Sequence, residues 1–262
     1  MKKKTKIAVA AGIVAAAAIA CNPLLRAVDY EVDAKAGGTV KIAFLSDVHD
    51  SWYGNGQSEL VDSIKRAGTD IVVFGGDLFD EQNGEKNSWA LVDALAGEYP
   101  CFYAIGNHET WSGKADFYKE EMARRGVCVL SGSSRRIDVN GAALRFFGAD
   151  DIGEVFSLEN DCDNTAYNIL LYHYPSDYPF ISDCGFDLVL SGHAHGGQWR
   201  LPWLINGLYS PDEGIFPKYA GGRYDENGSV MIVSRGLYRH LFNIVVPRIF
   251  NRPELVFVTL KG

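Results

Sequence analysis

Five apolar runs in this chain each end in the same small set of polar residues, and that repetition constrains the fold more than any other feature. "VKIAFLS" leads into Asp47 and His49, "DIVVFGG" into Asp77 and Asp80, and "CFYAIGN" into Asn107, His108 and Glu109. "YNILLYH" delivers His173, and "DLVLSGH" delivers His193 and His195. Short apolar runs of this kind read as buried strands, and buried strands of α/β proteins present functional side chains on the loops after their carboxyl ends. The amphipathic stretches "SELVDSIKRAG", "SWALVDALAGE" and "KADFYKEEMARRG" alternate with the first three runs, and Gly68 and Gly126 close two of them as helix stops. The alternation predicts an α/β chain. "SRRIDVNGAALRFFGAD" predicts a hairpin turned at Asn140-Gly141, and "GSVMIVS" and "ELVFVTL" predict two later strands. No break in composition follows residue 38, so 39–262 reads as one domain with two sheets.

The residue types at the strand ends point to metal. Imidazole nitrogen mixed with carboxylate oxygen suits Mn, Fe, Zn and similar divalent ions, whereas carboxylates alone would suit Mg or Ca. A single histidine after a strand is more often a hydrogen-bonded structural residue. Here five of the six histidines sit in such places, which scattered placement would not produce. Two neighbouring cations need an anion between them, and a pair of ions ~3.5–4 Å apart can clamp the attacking and leaving oxygens of a phosphoryl displacement. Asp47 and His49, like His193 and His195, are two residues apart and can turn toward one ion. Gly192, Gly196 and Gly197 let the second of these turns pack closely or take positive φ.

"SDVH", "GGDLFD", "GNHE", the histidine of "LLYHYP" and "GHAHGGQ" resemble the five ordered motifs of calcineurin-like metallophosphoesterases, over roughly Val40 to Gln198. "SRGL" and "NRPELVFVTL" are similar to the tail of the membrane-associated bacterial phosphodiesterase branch. The resemblance implies a four-layer αββα sandwich of two mixed β-sheets flanked by helices. It implies two divalent cations, of Mn, Fe or Zn, and hydrolysis of a P–O bond by metal-bound hydroxide. Asp47, His49 and His195 would hold one ion, Asn107, His173 and His193 the other, and Asp77 would bridge them. His108 would assist the leaving group, and Asp80 matches the aspartate that orients this histidine in protein phosphatase relatives. Two other readings stand beside this one: a metal-binding scaffold of the same fold without turnover, and a dinuclear hydrolase acting on amides rather than phosphoesters.

The first residues carry a separate signal. Lysines in "MKKKTK" precede an apolar stretch from Ile7 to Ala20, 14 residues long, short of the ~20 that span a bilayer but suited to an export signal. Residues 1–28 are therefore expected to be a signal peptide or membrane anchor. Cleavage could follow Ala20, Cys21 could be lipidated, or an uncleaved anchor could extend into "NPLLRAV", and all three outcomes put the body on the extracytoplasmic face of the cell membrane or beyond it. With 33 acidic against 25 basic side chains and a net charge of −8, the chain lacks the basic footprint of a nucleic-acid binder. Cys101, Cys128, Cys162 and Cys184 show no C-x-x-C spacing, so they read as buried thiols with room for a bridge. From Gln198 to Arg252 the balance reverses, in a long segment rich in aromatics, Pro and Gly. This segment is expected to form an apolar wall with cationic spots beside the metals, with Trp199, Arg223 and Arg235 touching substrate, suited to a lipid-linked or other membrane-proximal phosphodiester. His240 reads as a surface residue.

Overall fold

The structure is a computed structural model that describes residues 12, 17–34, 36–80, 82–239 and 247–262. His240 and most of the Lys-led apolar segment lie outside the described residues. Among the described residues no helix is long and apolar enough to cross a membrane.

Two six-stranded mixed sheets form the centre. The first is ordered β1 (Arg26–Asp33), β14 (Glu254–Lys261), β2 (Val40–Leu45), β3 (Ile71–Gly75), β4 (Cys101–Ala104) and β5 (Cys128–Val129). β14 is antiparallel to β2, and the strands from β2 to β5 are parallel. The second is ordered β12 (Gly222–Glu226), β13 (Ser229–Val233), β9 (Leu188–Ser191), β8 (Tyr167–Leu171), β7 (Ala142–Gly148) and β6 (Ser133–Val139). Its inner four strands are parallel. A short pair, β10 (Tyr209–Ser210) and β11 (Gly214–Ile215), stands apart.

Phe44, Ile42, Val73, Phe102, Phe146, Ile169 and Leu190 fill the space between the sheets. On the outside of the first sheet, α1 (Ser58–Ala67), α2 (Lys86–Ala96) and α4 (Ala115–Arg124) bury Leu60, Ile64, Leu91, Leu95 and Met122 against Leu45, Val72 and Phe74. α5 (Ile152–Leu158) and α6 (Tyr178–Ile181) cover the second sheet through Val155, Leu158 and Ile181. The result is the αββα sandwich expected from the resemblance. Central parallel strands are buried on both faces, which is why they read as unbroken apolar runs.

The hairpin turn lies where the sequence puts it, with φ of 50° at Asn140 and 81° at Gly141, the mirror-image turn that matches strand twist. β1 begins at Arg26 and pairs with β14 along its whole length, so the sheet extends past the expected start at 39 and into the segment read as anchor. In "RAVDYEVD" Val28, Tyr30 and Val32 point inward while the charged residues between them face out, the alternation of an edge strand. The described cysteines are all free thiols.

Candidate functional site

β2, β3, β4, β8 and β9 all deliver their last residues to one end of the sandwich. β3 runs straight into a turn whose backbone is pinned to β4. The carboxylate of Glu109, in the five-residue α3 (Asn107–Trp111), accepts the N–H groups of Asp77 at 2.9 Å, Leu78 at 2.7 Å, Phe79 at 3.1 Å and Gly106 at 2.8 Å. With Asp77 thus held, its Oδ1 accepts the His108 N–H at 2.9 Å while Oδ2 faces inward.

Several strand-end residues adopt the left-handed backbone that side chains usually avoid: Asp47, His49, Asp77, His193 and His195, with φ between 46° and 64°. Each such residue costs of order 1–3 kcal/mol, and clusters of them mark functional sites. Gly192 shows how tightly the loops meet. A Cβ there would lie 1.8 Å from Ser46 Oγ and 2.6 Å from Asp47 Oδ2.

Three groups of side chains lie within ligand reach of a common point: Asp47 with His49 and His195, Asp77 with His173 and His193, and His49 with Asp77 and His108. Asp77 is central. Its Oδ2 is 3.1 Å from His173 Nε2 and 3.8 Å from His49 Nε2, and Asp47 Oδ1 is 3.7 Å from His195 Nε2. His173 Nδ1 lies 2.8 Å from the Gly75 carbonyl, and His49 Nδ1 lies 3.1 Å from Asp80 Oδ2. Both contacts place the ring proton on Nδ1, so each Nε2 turns a lone pair inward.

The cluster has the donor set of a cation site. Among its buried atoms, His49 Nε2 and Asn107 Oδ1 have no hydrogen-bond partner, and His173 Nε2 and His193 Nε2 face only carboxylates, Asp77 Oδ2 at 3.1 Å and Asp212 Oδ2 at 3.0 Å. Buried polar atoms are nearly always satisfied, and lone pairs left open or turned only toward carboxylates fit a set of ligand atoms. The carboxylates draw positive charge to the cluster. Burial lowers the affinity of the His173 ring for protons, yet Asp77 outweighs it and carries the value up to about 10. Asp80, which burial alone would raise, is brought to about 2 by the His49 hydrogen bond and neighbouring charge. His195 moves the other way, held well below its ordinary value by burial and then by His49 and Arg248.

Asp80 is placed differently from expectation. Its Oδ2 is nearer to His49 Nδ1, at 3.1 Å, than to His108 Nδ1, at 3.6 Å, so it serves the metal cluster at least as much as His108. His108 is the more open ring, 22% exposed against 3% for His49, and stands edge-on to it at 4.6 Å. His195 also departs from the usual pattern: its Nδ1 faces the donor-only guanidinium of Arg248 at 3.2 Å rather than a carbonyl or carboxylate.

None of the three expected substrate contacts joins the cluster. Arg223 spans the two sheets at their edge, bonded to Asp225 and to the Glu31 carbonyl. Trp199 donates to the Pro247 carbonyl, and Arg235 turns toward Glu254 at 3.3 Å. Conversely, Asp212 was not anticipated. The long segment after Gln198 swings its carboxylate to 3.0 Å from His193 Nε2, a contact no spacing in the sequence announces. Tyr238, 5.0 Å from the His49 ring, and Arg248 come from the same far region of the chain.

Residues 40–197 match the family described as calcineurin-like phosphoesterase. The chain is 30% identical over 265 residues to an "Uncharacterized metallophosphoesterase" of Aquifex aeolicus, covering 91% of this chain and 92% of that one. It is 28% identical over 257 residues to the "Uncharacterized metallophosphoesterase Cj0846" of Campylobacter jejuni, covering 92% of this chain but spanning only 64% of the relative's length. To the "Phosphodiesterase YaeI" of Escherichia coli it is 28% identical over 229 residues, covering 84% of this chain and 82% of the relative. Matched over more than half of its 262 residues, and with the motif side chains gathered at one end of the sandwich, the chain belongs to the calcineurin-like phosphoesterase family.

Proposed function

We propose that this protein is a metal-dependent phosphodiesterase with two divalent cations, one held by Asp47, His49 and His195, the other by Asn107, His173 and His193, with Asp77 between them. The buried ring and amide atoms of His49, Asn107, His173 and His193, left with no partner or with a carboxylate alone, carry this reading. Bound there, divalent cations supply positive charge against the phosphoryl oxygens and acidify a water for attack.

The chain's own part is positional. Glu109 fixes the Asp77 turn, Gly75 and Asp80 set the tautomers of His173 and His49, and the left-handed loops bring all of them to one point. His108, at the open edge, donates a proton to the departing oxygen, with Asp80 beside its Nδ1. The diester reading draws on the relative named a phosphodiesterase. A membrane-proximal location draws on the apolar run from Ile7 to Ala20 and the lysines before it.

The test combines elemental analysis of the purified full chain with hydrolysis of bis(p-nitrophenyl) phosphate after chelation and re-addition of Mn, Fe or Zn. Two metal equivalents and metal-restored hydrolysis are expected. Metal without turnover would leave a scaffold, and cleavage of amide substrates alone would reassign the chemistry.

A further inference from the structure

A second cationic feature lies outside the metal cluster. A cavity of about 410 Å³ opens between the beginnings of β1 and β14 and the segment after β9, lined by Arg26, Arg200, Arg235 and Asn206 with Trp203 and Leu204 at its rim. No acidic residue lines it among the described residues. We propose that this cavity binds a phosphate-type anion carried on an apolar tail, the headgroup of an anionic amphiphile.

The charge is built in and only partly compensated. Glu254, paired in register with Arg26, is fully buried behind the cavity, and its nearest cation is Arg235 Nε at 3.3 Å. Even so, Arg235 Nε and both Glu254 oxygens are buried without hydrogen-bond partners. One carboxylate therefore answers three guanidiniums. Arg26 has no side-chain ion pair among the described residues, while Arg200 is oriented by the Gly196 carbonyl at 3.0 Å and by Asn206. Burial first and repulsion from Arg235 second lower Arg200 to about 10, a conflict that an anion between the two would relieve. Planar guanidiniums converging on a cavity suit a phosphate oxygen set.

The rim selects the tail. Trp203 is fully exposed and Leu204 is 77% exposed, large apolar side chains held in water beside a cationic hollow. Such a pairing suits the boundary between headgroups and acyl chains. The N-terminal segment enters the fold at the same place: the Ala20 carbonyl accepts from Phe250 N–H, and those of Leu24 and Leu25 accept from Arg252. An apolar leader seated in a bilayer would bring this mouth to its surface.

The cavity is separate from the metal cluster, and binding is read without turnover, so the proposal survives or fails independently of the catalytic reading. Full-length protein is floated with vesicles of phosphatidylcholine alone or with phosphatidic acid added. Phosphatidic acid should tighten binding about tenfold or more. The Arg200→Gln/Arg235→Gln double variant should lose that increment and keep the phosphatidylcholine baseline. Since Trp203 is wholly exposed, Trp203→Ala folds normally and should weaken the lipid increment while sparing any effect of inorganic phosphate. An unchanged increment in the folded arginine variant overturns the proposal. Inorganic phosphate abolishing the increment at concentrations as low as the lipid's own would show that the free anion is the ligand, and would overturn the amphiphile.

Discussion

Asp80 divides one carboxylate between two imidazoles, and the division decides what its loss should do. Nearer to His49, it fixes the tautomer that leaves Nε2 free. Asp80→Asn should therefore weaken metal binding about 10–100-fold, the usual cost of losing a partner behind a ligand histidine, measured by titrating the chelated protein with Mn. If metal affinity is unchanged and only kcat falls, Asp80 acts through His108 alone. His108→Ala should do the reverse: metal content intact, kcat down by about 10²–10⁴, with the deficit smallest for substrates with the most acidic leaving groups. The strand-end residues were legible as a set, because chemistry and order coincide across all five motifs. Asp212 and Arg248 were not, since both reach the cluster from segments with no periodic pattern, and only tertiary folding makes them neighbours.

At the level of elements, the loops after β3 and β4 act as one piece because Glu109 ties them. Either oxygen of its carboxylate accepts two backbone N–H groups. Glu109→Gln turns one of those oxygens into a donor facing donors, and about 2–5 kcal/mol of stability should go with it, read as a lowered denaturant midpoint. Gly192→Ala is a second test of loop contact. Ser46 can rotate away from a new methyl, but Asp47 Oδ2 at 2.6 Å has to move, so about 1–3 kcal/mol should be lost together with metal affinity. Central strands and the amphipathic helices were readable from period and apolar content. β1 was hidden by its outward-facing charges and by the apolar leader that precedes it, although Val28, Tyr30 and Val32 carry a two-residue period. The aromatic segment after Gln198 gave no period to read, and of the side chains expected beside the metals Arg223 turned to the sheet edge, Arg235 to the arginine cavity and Trp199 to the Pro247 carbonyl.

For the whole molecule, cations that bind only the folded chain add to its stability. At a free concentration of 100 Kd each site contributes about 2.7 kcal/mol, so chelation should lower Tm by about 5–10 °C per ion for a domain of this size. Scanning calorimetry with and without chelator checks this, and no change would mean that the cluster binds no cation tightly. A final consequence comes from strand order. β14, the last strand, lies between β1 and β2, the first two. Until β14 has been made, β1 therefore has no neighbour, and the edge of the first sheet stays apart from the strands β2 to β5. Closure joins segments from opposite ends of the described fold, so the first sheet is late to complete and its open edges stay exposed until then.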